Sequence, residues 1–232
     1  YSDLRYDGEP LPSLLALDIA RTGSIENVRT VYCGTFSKTV IPGLRVGWIV
    51  APAAVVHKAV LLKQANDLHT GSLTQMALTD VVTNLPQSHV AMLCETYGAR
   101  RDALLKALSR HMPPGVSWTK PHGGMFVWLT LPQGIDATRL LPKAIEAGVA
   151  FVPGATFFTG ERQANTARLS FTLCESKQID EGIKRLLTEG FDNDLIPIEN
   201  WTLFAENGGL KSRVDWLPLD QVVAALDKLR DY

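Results

Sequence analysis

The chain has 232 residues, 46% of them hydrophobic and 20% charged, and a formal net charge of -1. This is the make-up of a globular protein of one large or two small domains, not of a disordered or fibrous chain. The near-neutral balance excludes a basic field that would hold nucleic acid or an anionic membrane. No uninterrupted apolar stretch is long enough to span a bilayer and no charged-then-apolar leader opens the chain, so a cytoplasmic protein is expected. Cys33, Cys94 and Cys174 are odd in number, widely spaced and in apolar surroundings, which reads as reduced core thiols and not as bridges or metal ligands. The five histidines form no ligand pair at metal-binding spacing, so no metal is expected.

The chain opens on Tyr1 and runs straight into Leu4-Arg5-Tyr6, which reads as the middle of a domain. Ser13 is a cap for a short helix carrying Leu14, Leu15, Leu17 and Ile19, ended near Gly23. From Val31 to Val50 an apolar β-branched run passes through Gly34-Thr35-Phe36-Ser37-Lys38-Thr39 and a Pro42-Gly43 turn into a second apolar run, Val46 to Val50. The pattern predicts a strand, a loop presenting a lysine, and a strand. Thr35, Ser37, Lys38 and Arg45 thus gather two hydroxyls, an amine and a guanidinium; the amine suits an aldehyde, the other three a phosphate. A P-loop would need glycine where Ser37 stands, and a Ser-x-x-Lys nucleophile would need serine at position 35, which is Thr35.

Pro52 opens a helix through Val55, Val56, Ala59, Val60, Leu62 and Lys63 with one apolar face. Ser72 and Gln75 have capping-box spacing before a helix through Leu73, Ala77, Leu78 and Val81. Pro86 stops it, and Ser88 starts a long helix to about Arg110, buried through Ala91, Leu93, Tyr97, Leu104, Leu105 and Leu108. Arg100-Arg101-Asp102 reads as its solvated charged face. Strands follow over 116–119 and 125–131, then a helix over 137–147 and a strand over 149–152, the alternation of an open α+β sandwich. Arg168 lies in a short strand, Thr166 to Phe171, whose apolar neighbours leave its guanidinium in need of an anion, either a salt-bridge partner or a ligand. Ser176 caps a closing helix over 179–187. Residues 191–232 carry Trp201, Phe204, Trp216 and a helical pattern over 220–230, and nothing in them reads as catalytic.

Thr35-x-Ser37-Lys38 followed by Gly43-x-Arg45-x-Gly47-Trp48 resembles the lysine signature of fold-type I pyridoxal-phosphate aminotransferases. It is most similar to the branch of aminoadipate and aromatic aminotransferases and MocR-type regulators. The resemblance covers about residues 1 to 190 and corresponds to the later half of a family member. It implies an α/β fold: the later part of a large domain, a mixed sheet with helices on both faces, over 1–85, and a small α+β domain over 86–190, with 191–232 an extension. It implies Lys38 as the Schiff-base lysine, Thr35, Ser37 and Arg45 as phosphate ligands, Tyr1 as donor to the cofactor's phenolic oxygen, and Arg168 as the grip on a substrate α-carboxylate. The aspartate that meets the pyridine nitrogen is expected three residues before Tyr1. The polar residues of 66–72 are expected near the active-site mouth or the partner subunit, or else as turn and cap chemistry. Gly123-Gly124-Met125-Phe126 is either a close backbone approach near substrate or a hairpin turn, and Val152-Pro153-Gly154 with Phe157 and Phe158 borders the substrate pocket. The expected function is transamination between an amino acid and a 2-oxo acid, in a homodimer with pyridoxal 5'-phosphate. The alternatives are the effector-binding domain of a MocR-type regulator, whose DNA contacts lie in a preceding winged helix, or an inactive fragment.

Overall fold

Short runs of period two and longer runs of period three to four resolve into six strands and six α-helices in the computed structural model, which describes residues 3–188. Tyr1, the expected elements of 191–232 and the helical pattern over 220–230 lie outside the described residues. The described chain divides into two compact units, residues 9–90 and residues 3–8 together with 91–188.

In the 9–90 unit, helix α1 (Leu14–Thr22) starts where expected, with Ser13 Oγ accepting the Ala16 N–H at 3.1 Å, and ends at Gly23, whose φ of 75° a glycine adopts without penalty. Asp18 on α1 accepts the backbone N–H groups of Arg29 and Thr30 at 2.8 and 3.2 Å and so fixes the chain just before β1 (Tyr32–Thr35). That strand pairs antiparallel with β2 (Gly47–Val50), with Thr35 opposite Gly47. Helix α2 (Ala53–Asp67) begins after Pro52 as the sequence predicts, but none of its residues is buried: Val56 and Ala59 are half-buried, while Val55, Val60, Leu61 and Leu62 are exposed. Helix α3 (Ser72–Asn84) corrects the expected capping box: Gly71 is the cap, Ser72 is already helical, and the Gln75 amide instead donates to Thr70 O at 2.6 Å.

Helix α4 (His89–His111) begins after Pro86. The division between the units falls after Val90, within its first turn. The later unit is a two-layer α+β sandwich: β3 (Ser117–Trp118), β4 (Phe126–Thr130), β5 (Val152–Pro153) and β6 (Thr166–Ser170) pair antiparallel in the order β3-β4-β6-β5. Strand alternation turns Val127, Leu129, Ala167 and Leu169 to one face, where they pack with α4, α5 (Ala137–Glu146) and α6 (Ser176–Thr188) through Leu104, Leu108, Leu140, Ala144, Ile179 and Ile183. Phe126, Trp128 and Arg168 stand on the opposite face, half-buried. Ser176 is the first helical residue and not the cap; Gln178 reaches back to the Glu175 N–H at 2.9 Å.

Residues 3–8 join this unit because Leu4, fully buried, is flanked by backbone bonds to the Gly123-Gly124 turn: Tyr6 N and Asp7 N donate to His122 O, and Gly124 N donates to Leu4 O. A Cβ at Gly123 would collide with the Leu4 carbonyl, so the turn admits the segment only as glycine. Of the Arg100-Arg101-Asp102 run, Asp102 is exposed but the two arginines do not form a solvated face. Arg101 is 7% exposed and bonds Asp7, Asp102 and Pro121 O, and Arg100 bonds Thr172 O and Glu175. The reason is tertiary: the opening segment and the 121–124 turn close over that side of α4.

Candidate active site

Lys38 sits on the turn that leaves β1. Phe36 N donates to Val46 O at 3.3 Å, extending the β1–β2 ladder, and Phe36 O then accepts from Val40 N at 2.9 Å and Ile41 N at 3.0 Å, so residues 36–41 coil into one tight loop. The strands beneath it are held by Tyr32 stacked on Trp48 at 5.2 Å between ring centroids. Gly34 is required there, since any Cβ would enter the Trp48 ring.

Three sequence-predicted residues converge on this loop. The Thr35 hydroxyl stands 3.1 Å from Ser37 Oγ, and Thr35 Oγ1 also accepts the Ser37 N–H at 3.1 Å. Arg45 Nη1 lies 3.4 Å from Ser37 Oγ and donates to Pro42 O at 3.0 Å. Arg45 holds a φ of 54°, a left-handed backbone that costs a non-glycine residue on the order of 1 kcal/mol or more, and such strain collects at working sites. Two hydroxyls, a backbone N–H and a guanidinium therefore meet on the hairpin that carries Lys38, the donor types that hold an oxyanion.

Sequence reasoning missed one member. His89, at the start of α4, places Nε2 2.8 Å from Thr39 O, so as donor it ties down the residue after the lysine. Fifty positions separate the two in sequence, and no spacing rule connects them.

Arg168 lies in the other unit, at the centre of β6, opposite Trp128 on β4 and Val152 on β5. Its Nε is buried and has no hydrogen-bond partner among the described residues. Its Cζ stands 4.0 Å from the Phe126 ring centroid and 4.9 Å from that of Phe157. An arginine with a buried, unsatisfied donor is costly unless an anion completes it. Tyr1 is outside the described residues. Nearby in chain, the Tyr6 hydroxyl donates to Gly124 O, and burial, with Cys94 and Tyr97 beside it, pushes its phenol well above the ordinary value, so it stays a neutral donor. Among the described residues no three His, Cys, Asp or Glu side chains are grouped to hold a metal ion, and no helix is long and apolar enough to cross a membrane.

Residues 1–186 match the family described as aminotransferase class I and II. The chain is 47% identical over 187 residues to aromatic-amino-acid aminotransferase 1 of Thermococcus litoralis, covering 80% of this chain and 43% of that protein, and 39% identical over 186 residues to 2-aminoadipate transaminase of Thermus thermophilus, covering 80% and 46%. Among solved structures, the α-aminoadipate aminotransferase LysN of Thermus thermophilus, complexed with N-(5'-phosphopyridoxyl)-L-leucine, superposes with a TM-score of 0.74 at 39% identity, over 80% of this chain and 47% of that one. The multiple substrate aminotransferase of Thermococcus profundus gives 0.72 at 43% identity, over 81% and 45%. The chain belongs to the class I and II aminotransferases and carries part of their fold-type I architecture. It spans less than half the length of these relatives.

Proposed function

We propose that the protein is a pyridoxal-phosphate-dependent aminotransferase, moving an amino group between an amino acid and a 2-oxo acid, and that this chain supplies its lysine, its phosphate ligands and its carboxylate grip. The observation that carries the reading is Lys38 on a tight turn beside the converging donors of Thr35, Ser37 and Arg45. These residues fit the cofactor: an oxyanion cradle for its phosphate and an amine for its aldehyde. The orphaned Nε of Arg168 fits a substrate carboxylate.

When bound, pyridoxal phosphate supplies a carbon that accepts the amino group and a ring that draws electrons from the substrate α-carbon. Thr35 Oγ1, Ser37 Oγ and Arg45 would hold the phosphate by charge-assisted bonds. Lys38 Nζ would hold the cofactor at its aldehyde carbon and, when free, would be the base that takes the substrate α-proton. The His89 bond to Thr39 O keeps the lysine turn in place. Arg168 grips the α-carboxylate with parallel N–H groups, which orients the α-carbon for proton removal. Tyr1 takes the role of donor to the phenolic oxygen. The large and small domains are assigned to 1–85 and 86–190. The free thiols of Cys33, Cys94 and Cys174 suit the cytoplasm, and the exposed apolar residues of α2 suit burial in a homodimer.

Borohydride reduction of the cofactor-loaded protein, followed by peptide mapping, is expected to leave the pyridoxyl label on Lys38. A label on another lysine, or none, overturns the assignment. A second reading, an effector-binding domain, is favoured by 32% identity over 162 residues to the HTH-type transcriptional regulator YdfD of Bacillus subtilis. It predicts the same label with no amino transfer to any 2-oxo acid, whereas the enzyme reading requires turnover.

A further inference from the structure

We propose that Phe157 is a positioning residue for Arg168: with Phe126 it forms a slot that fixes the plane of the guanidinium, so that the arginine meets a carboxylate already oriented. The inference rests on the reading of Arg168 as the carboxylate grip. Two observations carry it. The guanidinium carbon lies 4.0 Å from one ring centroid and 4.9 Å from the other, both within the range at which a cation is held by an aromatic face. Phe157 is 48% exposed, although an aromatic ring with no task gains by withdrawing from water.

The surroundings explain why the ring stays there. Phe157 ends a short 3-10 turn, Gly154–Phe157, that follows β5. A Cβ at Gly154 would strike Thr166 Oγ1 and the Trp128 ring, so only glycine lets the turn lie this close to the sheet. Trp128, directly opposite Arg168 in register, meets Phe157 edge-on at 5.6 Å and 74° and Phe158 at 6.2 Å and 62°. Trp128 thus braces the ring that braces the arginine. A guanidinium held only by its flexible stem would lose rotamer freedom on every binding event. Held in the slot with Nε unsatisfied, it has lost that freedom beforehand, and the carboxylate supplies the missing acceptor.

The test uses the cofactor-loaded protein, the amino acid it converts best, and the primary amine that lacks only that substrate's carboxylate. Phe157→Leu is expected to raise KM for the amino acid about fivefold to thirtyfold, the span of a cation–ring contact from exposed to desolvated. Cofactor absorbance and affinity for the decarboxylated amine should be unchanged, and Phe157→Tyr should restore KM to within about twofold, since its ring offers the same face. Equal weakening of acid and amine, failure of the tyrosine to rescue, or an unchanged KM each overturns the positioning role. Arg168→Lys separates the two claims: if it leaves KM unaltered, or if the wild-type protein converts no amino acid, the carboxylate reading itself fails and the inference with it. If Arg168→Lys weakens binding and Phe157→Leu does not, only the inference fails.

Discussion

At the scale of single residues, a donor left without an acceptor among the described residues marks where a ligand is proposed to bind. Arg168 is the plainest case, a guanidinium with aromatic faces around it and a buried Nε left over. Lysine carries the same charge as a point and cannot reproduce a fork. Arg168→Lys is therefore expected to lower kcat/KM for the amino acid roughly ten- to hundredfold, the worth of one charge-assisted bond of about 1.5–3 kcal/mol, with cofactor absorbance intact. Parallel loss of absorbance and turnover would show that the arginine serves the cofactor or the fold. Arg45 differs: its guanidinium already touches Ser37 Oγ and Pro42 O, and its left-handed backbone places strain where the phosphate is proposed to sit.

At the scale of elements, the segment 3–8 is held by α4 and the 121–124 turn through Arg101. Asp7 accepts from this guanidinium, which holds its carboxyl below the ordinary value, His122 and Arg5 adding to the effect. A carboxyl whose folded-state value is depressed stabilises the fold fully above the unfolded value, and that stability is lost as pH falls through the folded value. The wild type should therefore lose denaturation midpoint on acidification below about pH 4, the ordinary aspartate range, more steeply than Arg101→Met, which removes the pairing at all pH values. Parallel midpoint-against-pH curves for the two proteins would show that the clasp contributes nothing. Arg101 also lies over the Tyr6 ring at 5.3 Å, so the methionine retains part of the packing and isolates the charge.

At the scale of the molecule, the two units differ in how completely they cover themselves. The later unit has a continuous core from Leu104 to Leu186. The 9–90 unit buries Leu15, Val28, Ala51 and Leu78, while Val60, Leu61, Leu62, Leu73 and Met76 stay exposed, and exposed apolar surface favours association. Residues 1–232 are accordingly expected to self-associate, with a sedimentation mass that rises with concentration and falls back when Val60 and Leu62 are both changed to lysine. A monomer at every concentration would show that this surface has no partner in solution.

Local chemistry was legible wherever a few adjacent residues specify it. Ser13 and Gly23 bound α1, Pro52 and Pro86 place the starts of α2 and α4, and Thr35, Ser37 and Arg45 meet because the hairpin that carries Lys38 carries them too. The capping box at Ser72 and the solvated face at Arg100-Arg101 were misread because spacing reports which groups are able to pair, and not which competitor arrives first: Gly71 took the cap, and the 3–8 segment took the arginine. His89 on Thr39 and the ring slot around Arg168 had no sequence signal at all. Such contacts join residues from elements distant along the chain, so only packing decides them. The amino-acid order determined the strand, loop and strand that carry Lys38; the tertiary structure alone decided how Arg168 is held, because an aromatic slot is a property of register and turn placement that no local pattern encodes.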